Sequence, residues 1–185
     1  MLIIEENLEG KILIASPALD KNSYFSKTLV YVLRHTMEGA VGLIINKPLP
    51  KLEGNLVVKH EGETIPLEFA KTYSGGPVEI EKGFVLHLDK HNKFGADPLI
   101  KLSFDVGLLK AIAKGKASAK NSLFLFGYCG WSSGQLEEEV EYNDWLVAQP
   151  NEKIIFDREN NRKWDKYLTM LNVDPTQYVD CTGTC

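Results

Sequence analysis

The stretch NSLFLFGYCGWSSGQLEEEVEYNDWLVAQP, residues 121–150, decides how the chain is read. Its opening NSLFLFGY is a near-continuous apolar run that predicts a buried strand. A glycine-rich turn then leads into QLEEEVE, where Leu136 and Val140 are spaced to share one buried helical face. NDWLVAQP predicts a further strand with alternate residues turned inward, and Pro150 stops it because proline cannot donate to a ladder. Strand, helix and strand in direct succession point to a mixed domain whose strands and helices are interleaved.

The same stretch raises a catalytic question, since GWSSG fits the G-x-S-x-G pattern of a nucleophile elbow. In an α/β-hydrolase the base follows the serine, in the order Ser, acid, His. All four histidines, His35, His60, His87 and His91, precede Ser132, so that order is unavailable, although other triad orders exist. Tyr128, Cys129 and Gly130 also stand between the predicted strand and the second half of the pattern. The competing reading is structural. Ser132 and Gln135 have the spacing of a capping box, and Glu137, Glu138 and Glu139 fall in the first turns, where the helix dipole favours negative charge. Gly127, Gly130 and Gly134 then permit turns or close backbone approaches. A helix N-terminus behind such a turn can hold an anion, but three adjacent glutamates disfavour a polyphosphate, and no lysine follows Gly134 as a P-loop requires. A small or neutral ligand is easier to accommodate.

Working outward, KILIAS (11–16) predicts a buried strand ended by Ser16-Pro17, and the polar DKNSYFSK a turn. TLVYVLRH and AVGLIINK flank TMEG and predict an antiparallel hairpin, closed by Asn46-Lys47-Pro48. NLVVKHEGETIPLEF reads as two short strands around Glu61-Gly62, or as a helix and a strand, with alternation favouring the strands. KTYSGGPVEIEKGFVLHL gives a strand, a tight Gly75-Gly76-Pro77 turn and a strand at 83–88. Ser103 or Asp105 would cap a helix through VGLLKAIAKGK, and ENNRKWDKYLTMLNV places Trp164, Tyr167, Leu168 and Leu171 on one face of a closing helix.

The 185 residues, 44% hydrophobic, suffice for one substantial core, and the net charge of −4 offers no general attraction to phosphate backbones or anionic lipid. Lys110, Lys114, Lys116 and Lys120 form the clearest basic run, better explained as a solvated helix end than as a DNA contact. No apolar run has the length of a membrane span and the start MLIIEENLEGK lacks the basic flank of a signal peptide, so a cytoplasmic location is expected. Cys129 could be a reactive thiol only beside a cation, and packing is the simpler role. Cys181 and Cys185 lie in the tail CTGTC without an accompanying histidine. His87 and His91 have H-x3-H spacing, but FVLHL predicts a strand, on which residues at that spacing do not converge, so no metal is expected.

Taken in order, ILIASPAL, YVLRHTMEGAVGLIINKP, YSGGPV with GFVLH, and GYCGWSSGQLEEEVEYNDWL followed by IIFD and a tryptophan-bearing helix resemble the bacterial YqgE/AlgH family, from about Gly10 to Val173. The resemblance implies an α+β single domain, with a bent, bifurcated, mainly antiparallel sheet forming a pseudo-barrel and helices packed outside; the domain is expected to span residues 1–185, with 174–185, beyond the resemblance, a flexible tail. It implies no reaction: the family is largely uncharacterised, and one branch carries a transcriptional-regulator label. The family's G-W-x-x-G-Q-L block falls on Gly130, Trp131, Gly134, Gln135 and Leu136, and its two variable positions are not serine in the usual pattern, which makes Ser132 incidental.

These readings lead to a non-enzymatic, regulatory protein that needs no cofactor and binds a small molecule or a protein partner. The expected pocket is built from Gly75, Gly76, Pro77, His87, Gly127, Gly130, Trp131, Gly134 and Gln135, with an exposed tryptophan among loop glycines. One alternative is a hydrolase-like enzyme using His87 or Glu138 as a base in the same cleft. Another is a direct transcription regulator reading DNA through the lysine-rich helix end, which the acidic balance disfavours.

Overall fold

The structure is a computed structural model and describes residues 7–50, 57–60, 62–66, 72–88, 100–103, 110 and 121–177. In chain order the strands are β1 (Ile12–Ala15), β2 (Leu29–Thr36), β3 (Gly39–Ile44), β4 (Val57–His60), β5 (Glu63–Pro66), β6 (Thr72–Ser74), β7 (Val78–Leu88), β8 (Ile100–Ser103), β9 (Ser122–Ser132) and β10 (Trp145–Ala148). The helices are α1 (Gln135–Glu141), α2 (Glu152–Ile155) and α3 (Asn160–Met170). Eight strands form one sheet in the order β10-β1-β2-β3-β9-β7-β8, with β6 beside β9, while β4 and β5 make a separate hairpin. Every pairing is antiparallel except that of β6 with β9. Among the described residues the ends β10 and β8 do not pair, and the architecture is the expected α+β one, a bent, mainly antiparallel sheet that is not closed.

The bend is made by β9. Its C-terminal residues Cys129–Ser132 pair with β3, its N-terminal half pairs with β7, and β6 runs parallel to Phe124–Phe126 on the edge that β3 leaves. This is the bifurcation. At the fork, Gly75 N–H donates to the Phe126 carbonyl at 2.7 Å while its own carbonyl accepts from Ile44 N–H at 2.8 Å, tying three strands together. The backbones are so close here that side chains are excluded. A Cβ on Gly76 would lie 2.1 Å from the Tyr128 carbonyl carbon, and one on Gly127, at φ +73°, would lie 2.4 Å from the Gly76 oxygen.

Both faces of the β10-β1-β2-β3 half are covered, which is why its strands read as continuous apolar runs. Ile12, Ile14, Leu29, Tyr31 and Leu43 face a core completed by Trp164, Tyr167 and Leu168 of α3 and by Leu86, Leu123 and Leu125 from beyond the fork. The alternate residues Leu13, Ala15, Val30, Val32 and Ile44 face a second cluster containing Trp131, Leu136 and Trp145. Two polar groups fix α3: Trp164 Nε1 donates to the Ala15 carbonyl at 2.8 Å, and the fully buried Lys163 Nζ donates to the carbonyls of Ile45 (3.2 Å) and Ile155 (2.7 Å).

The hairpin expected around TMEG is present as β2 and β3, and the segment between 57 and 66 takes the two-strand form. The strand expected at 83–88 begins earlier, at Val78, because Val78 pairs with Tyr128 before residues 79–82 bulge and Gly83 resumes pairing at Phe126. Of the helix expected after Ser103, only Lys110 is among the described residues, where it is helical; Lys114, Lys116 and Lys120 lie outside them, as do His91, Cys181 and Cys185.

Candidate functional site

Strand β9 runs through Tyr128, Cys129 and Gly130 to Ser132, so these residues do not separate strand from turn as the sequence suggested. They were masked as strand by the glycines on either side. Nor is Ser132 the helix cap. The cap of α1 is Gly134, in the left-handed region at φ 77°, with no side-chain bond to the first turn. What survives of the capping box is its return half: Gln135 Oε1 accepts from Ser132 N–H at 3.1 Å and from Ser132 Oγ at 3.1 Å. With its hydroxyl donating to an amide, Ser132 has no base among the described residues.

The imidazole on this face of the sheet is also committed elsewhere. Register places His35 opposite Ala40, and Ala40 opposite Trp131, leaving small Ala40 between two large side chains under α1. His35 Nδ1 accepts from Leu8 N–H at 3.1 Å, so Nε2 carries the proton and donates to Glu137 Oε1 at 3.0 Å. His35 therefore ties the N-terminal segment and α1 to β2. His87, by contrast, pairs with Lys101 and Ser122 at the far end of β9, about 30 Å of strand from Trp131 at ~3.3 Å per residue. His87 and Glu138 do not converge, and the enzyme reading that joins them in one cleft loses its geometry.

At the centre of the site is a residue that the sequence pattern presents only as one of three adjacent acids. Glu139 Oε2 accepts from Trp131 Nε1 at 2.8 Å and from Trp145 Nε1 at 2.7 Å, while Oε1 accepts from Gln135 Nε2 at 2.9 Å. One carboxylate thus joins the end of β9, the start of α1 and the start of β10. Trp131, expected to be exposed, is 7% exposed and packs edge-to-face on Trp145, which does the same on Phe25. Its indole is buried because the α1 face descends on it and Glu139 satisfies its N–H. The only signals in sequence were a glutamate four residues after Gln135, on the same helical face, and a tryptophan on each side of the helix.

Beside this arrangement lies a cleft of about 300 Å³. Its walls are Phe25, Trp131 and Trp145, its rim Pro77 and Val78, and its polar lining includes Gln135, Glu139 and Asp144. Of the expected pocket residues, the structure brings Pro77, Gly130, Trp131 and Gln135 to this cleft. Gly75, Gly76 and Gly127 are instead packed into the fork, Gly134 forms the helix cap, and His87 is remote.

The electrostatics of the cleft follow from burial. Cys129 lines it, but burial pushes the thiol up to about 12, and Sγ donates to the Gly75 carbonyl at 3.5 Å, so this cysteine stays protonated and inert. Asp144 is raised above the ordinary aspartate value, first by burial and then by the charge of Glu139. No group of three or more His, Cys, Asp or Glu side chains suited to a metal occurs among the described residues, and no helix there is long and apolar enough to cross a membrane.

Comparison with known proteins agrees with the architecture. The model of the family described as AlgH-like matches residues 12–176. A UPF0301 protein of Rickettsia canadensis is 40% identical, with 97% of each chain covered, and one of Rickettsia conorii is 39% identical over the same shares. The solution structure of the AlgH protein from Pseudomonas aeruginosa is similar with a TM-score of 0.66 at 30% identity, covering 98% of this chain and 97% of that one. A crystal structure of a Corynebacterium diphtheriae protein shares the fold with a TM-score of 0.70 at 17% identity, over 94% and 92% of the two chains. With a forked sheet centred on β9, a match along nearly its whole length and relatives of like size, the chain belongs to the AlgH-like family.

Proposed function

We propose that the protein is a binding protein rather than a catalyst, and that it acts in regulation by taking a small ligand in the aromatic cleft between α1 and the Pro77-Val78 turn. The observation that carries this reading is the division of labour among the polar groups. Ser132, Gln135 and Glu139 are consumed by bonds that fix the cleft's shape, and Cys129 is held protonated, so none of these four supplies an activated nucleophile. What remains is a preformed, mostly apolar concavity with a few fixed polar groups, the usual constitution of a small-molecule site. The volume is at the small end of that range. Saturation-transfer NMR against a panel of amino acids, amines, nucleotides and sugars tests it. A hit whose signal falls in Phe25→Ala is expected; silence across the panel sinks the reading.

A further inference from the structure

Resting on that ligand-binding reading, we infer that the cleft takes a small organic cation, an ammonium or guanidinium group on a short apolar stem. The two ionisable carboxylates in its lining, Glu139 and Asp144, have the same sign, and among the described residues neither takes part in an ion pair. Glu139 is held by three neutral N–H donors, which fix its position but leave its charge in the wall. Asp144 makes no side-chain hydrogen bond among the described residues, and its carboxylate lies where burial and Glu139 both disfavour ionisation. A cation would relieve both effects. An anion would add a third like charge to a partly desolvated cleft, and a neutral guest would leave the existing two uncompensated.

The walls favour the same guest. Phe25, Trp131 and Trp145 supply aromatic surface, and cations are attracted to indole and phenyl rings, most strongly where water is excluded. The nearby Lys47 does not fill the role from within the chain. Its Nζ donates to the Tyr24 carbonyl at 3.1 Å and sits 3.5 Å from the centroid of the Tyr24 ring, and it does not line the cleft. A volume of about 300 Å³ has room for a lysine or arginine side chain together with its neighbouring backbone.

The test is a calorimetric titration of the full chain, repeated by tryptophan fluorescence, with agmatine, N-acetyl-arginine amide and N-acetyl-lysine amide. The matched controls are N-acetyl-citrulline amide, a neutral isostere, and N-acetyl-aspartate amide, an anion. The cations are expected to bind at least about tenfold more tightly than the isostere, and Asp144→Asn to remove about that factor without lowering the unfolding midpoint. Preference for agmatine would mark a free amine or guanidine as the source, and preference for the capped amino acids a basic side chain within a chain. Equal binding of the citrulline probe, preference for the aspartate probe, or indifference to Asp144→Asn would overturn the cation assignment while leaving the cleft a ligand site. Failure of every probe and of the wider NMR panel would overturn both.

Discussion

Removing the Glu139 carboxylate should loosen the junction of β9, α1 and β10 by an amount that can be worked out from its bonds. In Glu139→Ala the indole N–H groups of Trp131 and Trp145 lose their acceptor, and these residues are only 7% and 4% exposed. Each buried donor left unpaired costs about 1–3 kcal/mol. Water entering from the adjacent cleft offsets part of this, giving a net loss of about 2–4 kcal/mol. Glu139→Gln keeps one oxygen able to accept from both indoles but opposes its NH2 to that of Gln135, so it should lose only about 1 kcal/mol. Urea unfolding followed by far-ultraviolet circular dichroism reads the difference. At a slope of about 2 kcal/mol/M, Glu139→Ala should lower the midpoint by about 1–2 M with the slope unchanged. A double-mutant cycle isolates the bond: in a Trp145→Phe background, which has no N–H at that position, the cost of Glu139→Ala should fall by about 1–2 kcal/mol. A midpoint shift below about 0.3 M, or perfect additivity with Trp145→Phe, would refute the assignment of Glu139 as a clamp.

Three further outcomes follow from particular residues. Gly127→Ala, forced to a positive φ with its Cβ against the Gly76 carbonyl, should lose about 3 kcal/mol or fail to fold, whereas Gly130→Ala, whose Cβ would meet nothing nearer than 3.7 Å, should stay within about 0.5 kcal/mol of the parent by thermal melting. In a Cys181→Ser, Cys185→Ser background, Cys129 should resist a disulfide thiol reagent at pH 8 and react only at the rate of opening, because its thiol is buried and held near 12; prompt labelling would contradict this. Asp157, which accepts from Glu159 N–H and from Lys166, is held down to about 2. Its folded value lies below the unfolded one, so its contribution is fully present above about pH 4 and is lost as pH falls towards 2. Asp157→Asn should therefore be about 1 kcal/mol less stable than the parent at neutral pH, after allowance for screening, with the difference shrinking as pH falls through about 2 and vanishing only below it.

The parts of this fold that sequence reveals are those set by local rules. The β2–β3 hairpin shows because two β-branched runs flank a short connection, and α3 because Trp164, Tyr167 and Leu168 recur at helical spacing and are buried as that spacing predicts. The length of β9 is hidden for a physical reason. Gly127 and Gly130 look like turn residues, but a glycine in a strand can also mark a close backbone approach, and at the fork that need prevails. The cap was misplaced because S-x-x-Q has the right spacing, yet pairing of Ser132 with Gly39 keeps the serine extended and moves the helix start beyond Gly134. The site was half visible. Trp131 and Gln135 stand in a motif, whereas Glu139 looks like one of three dipole-friendly acids until strand, helix and strand bring both indoles to it. Asp144 and Phe25 join the cleft only through tertiary placement, which no periodicity encodes.

The fork also dictates when the chain can fold as it leaves the ribosome. Gly39 of β3 must wait for Ser132, Val85 of β7 for Phe124, and Ile12 of β1 for Ala148, so the pairings made by β9 and β10 all depend on residues synthesised late. Pairings of such long sequence separation form slowly, and the early strands meanwhile expose unsatisfied apolar edges. Among the described residues, a nascent chain halted before residue 122 holds the β1–β2–β3 meander and the β4–β5 and β7–β8 pairs, without β9 to join the two halves of the sheet. Vectorial synthesis thus leaves those edges unpaired until β9 and β10 emerge.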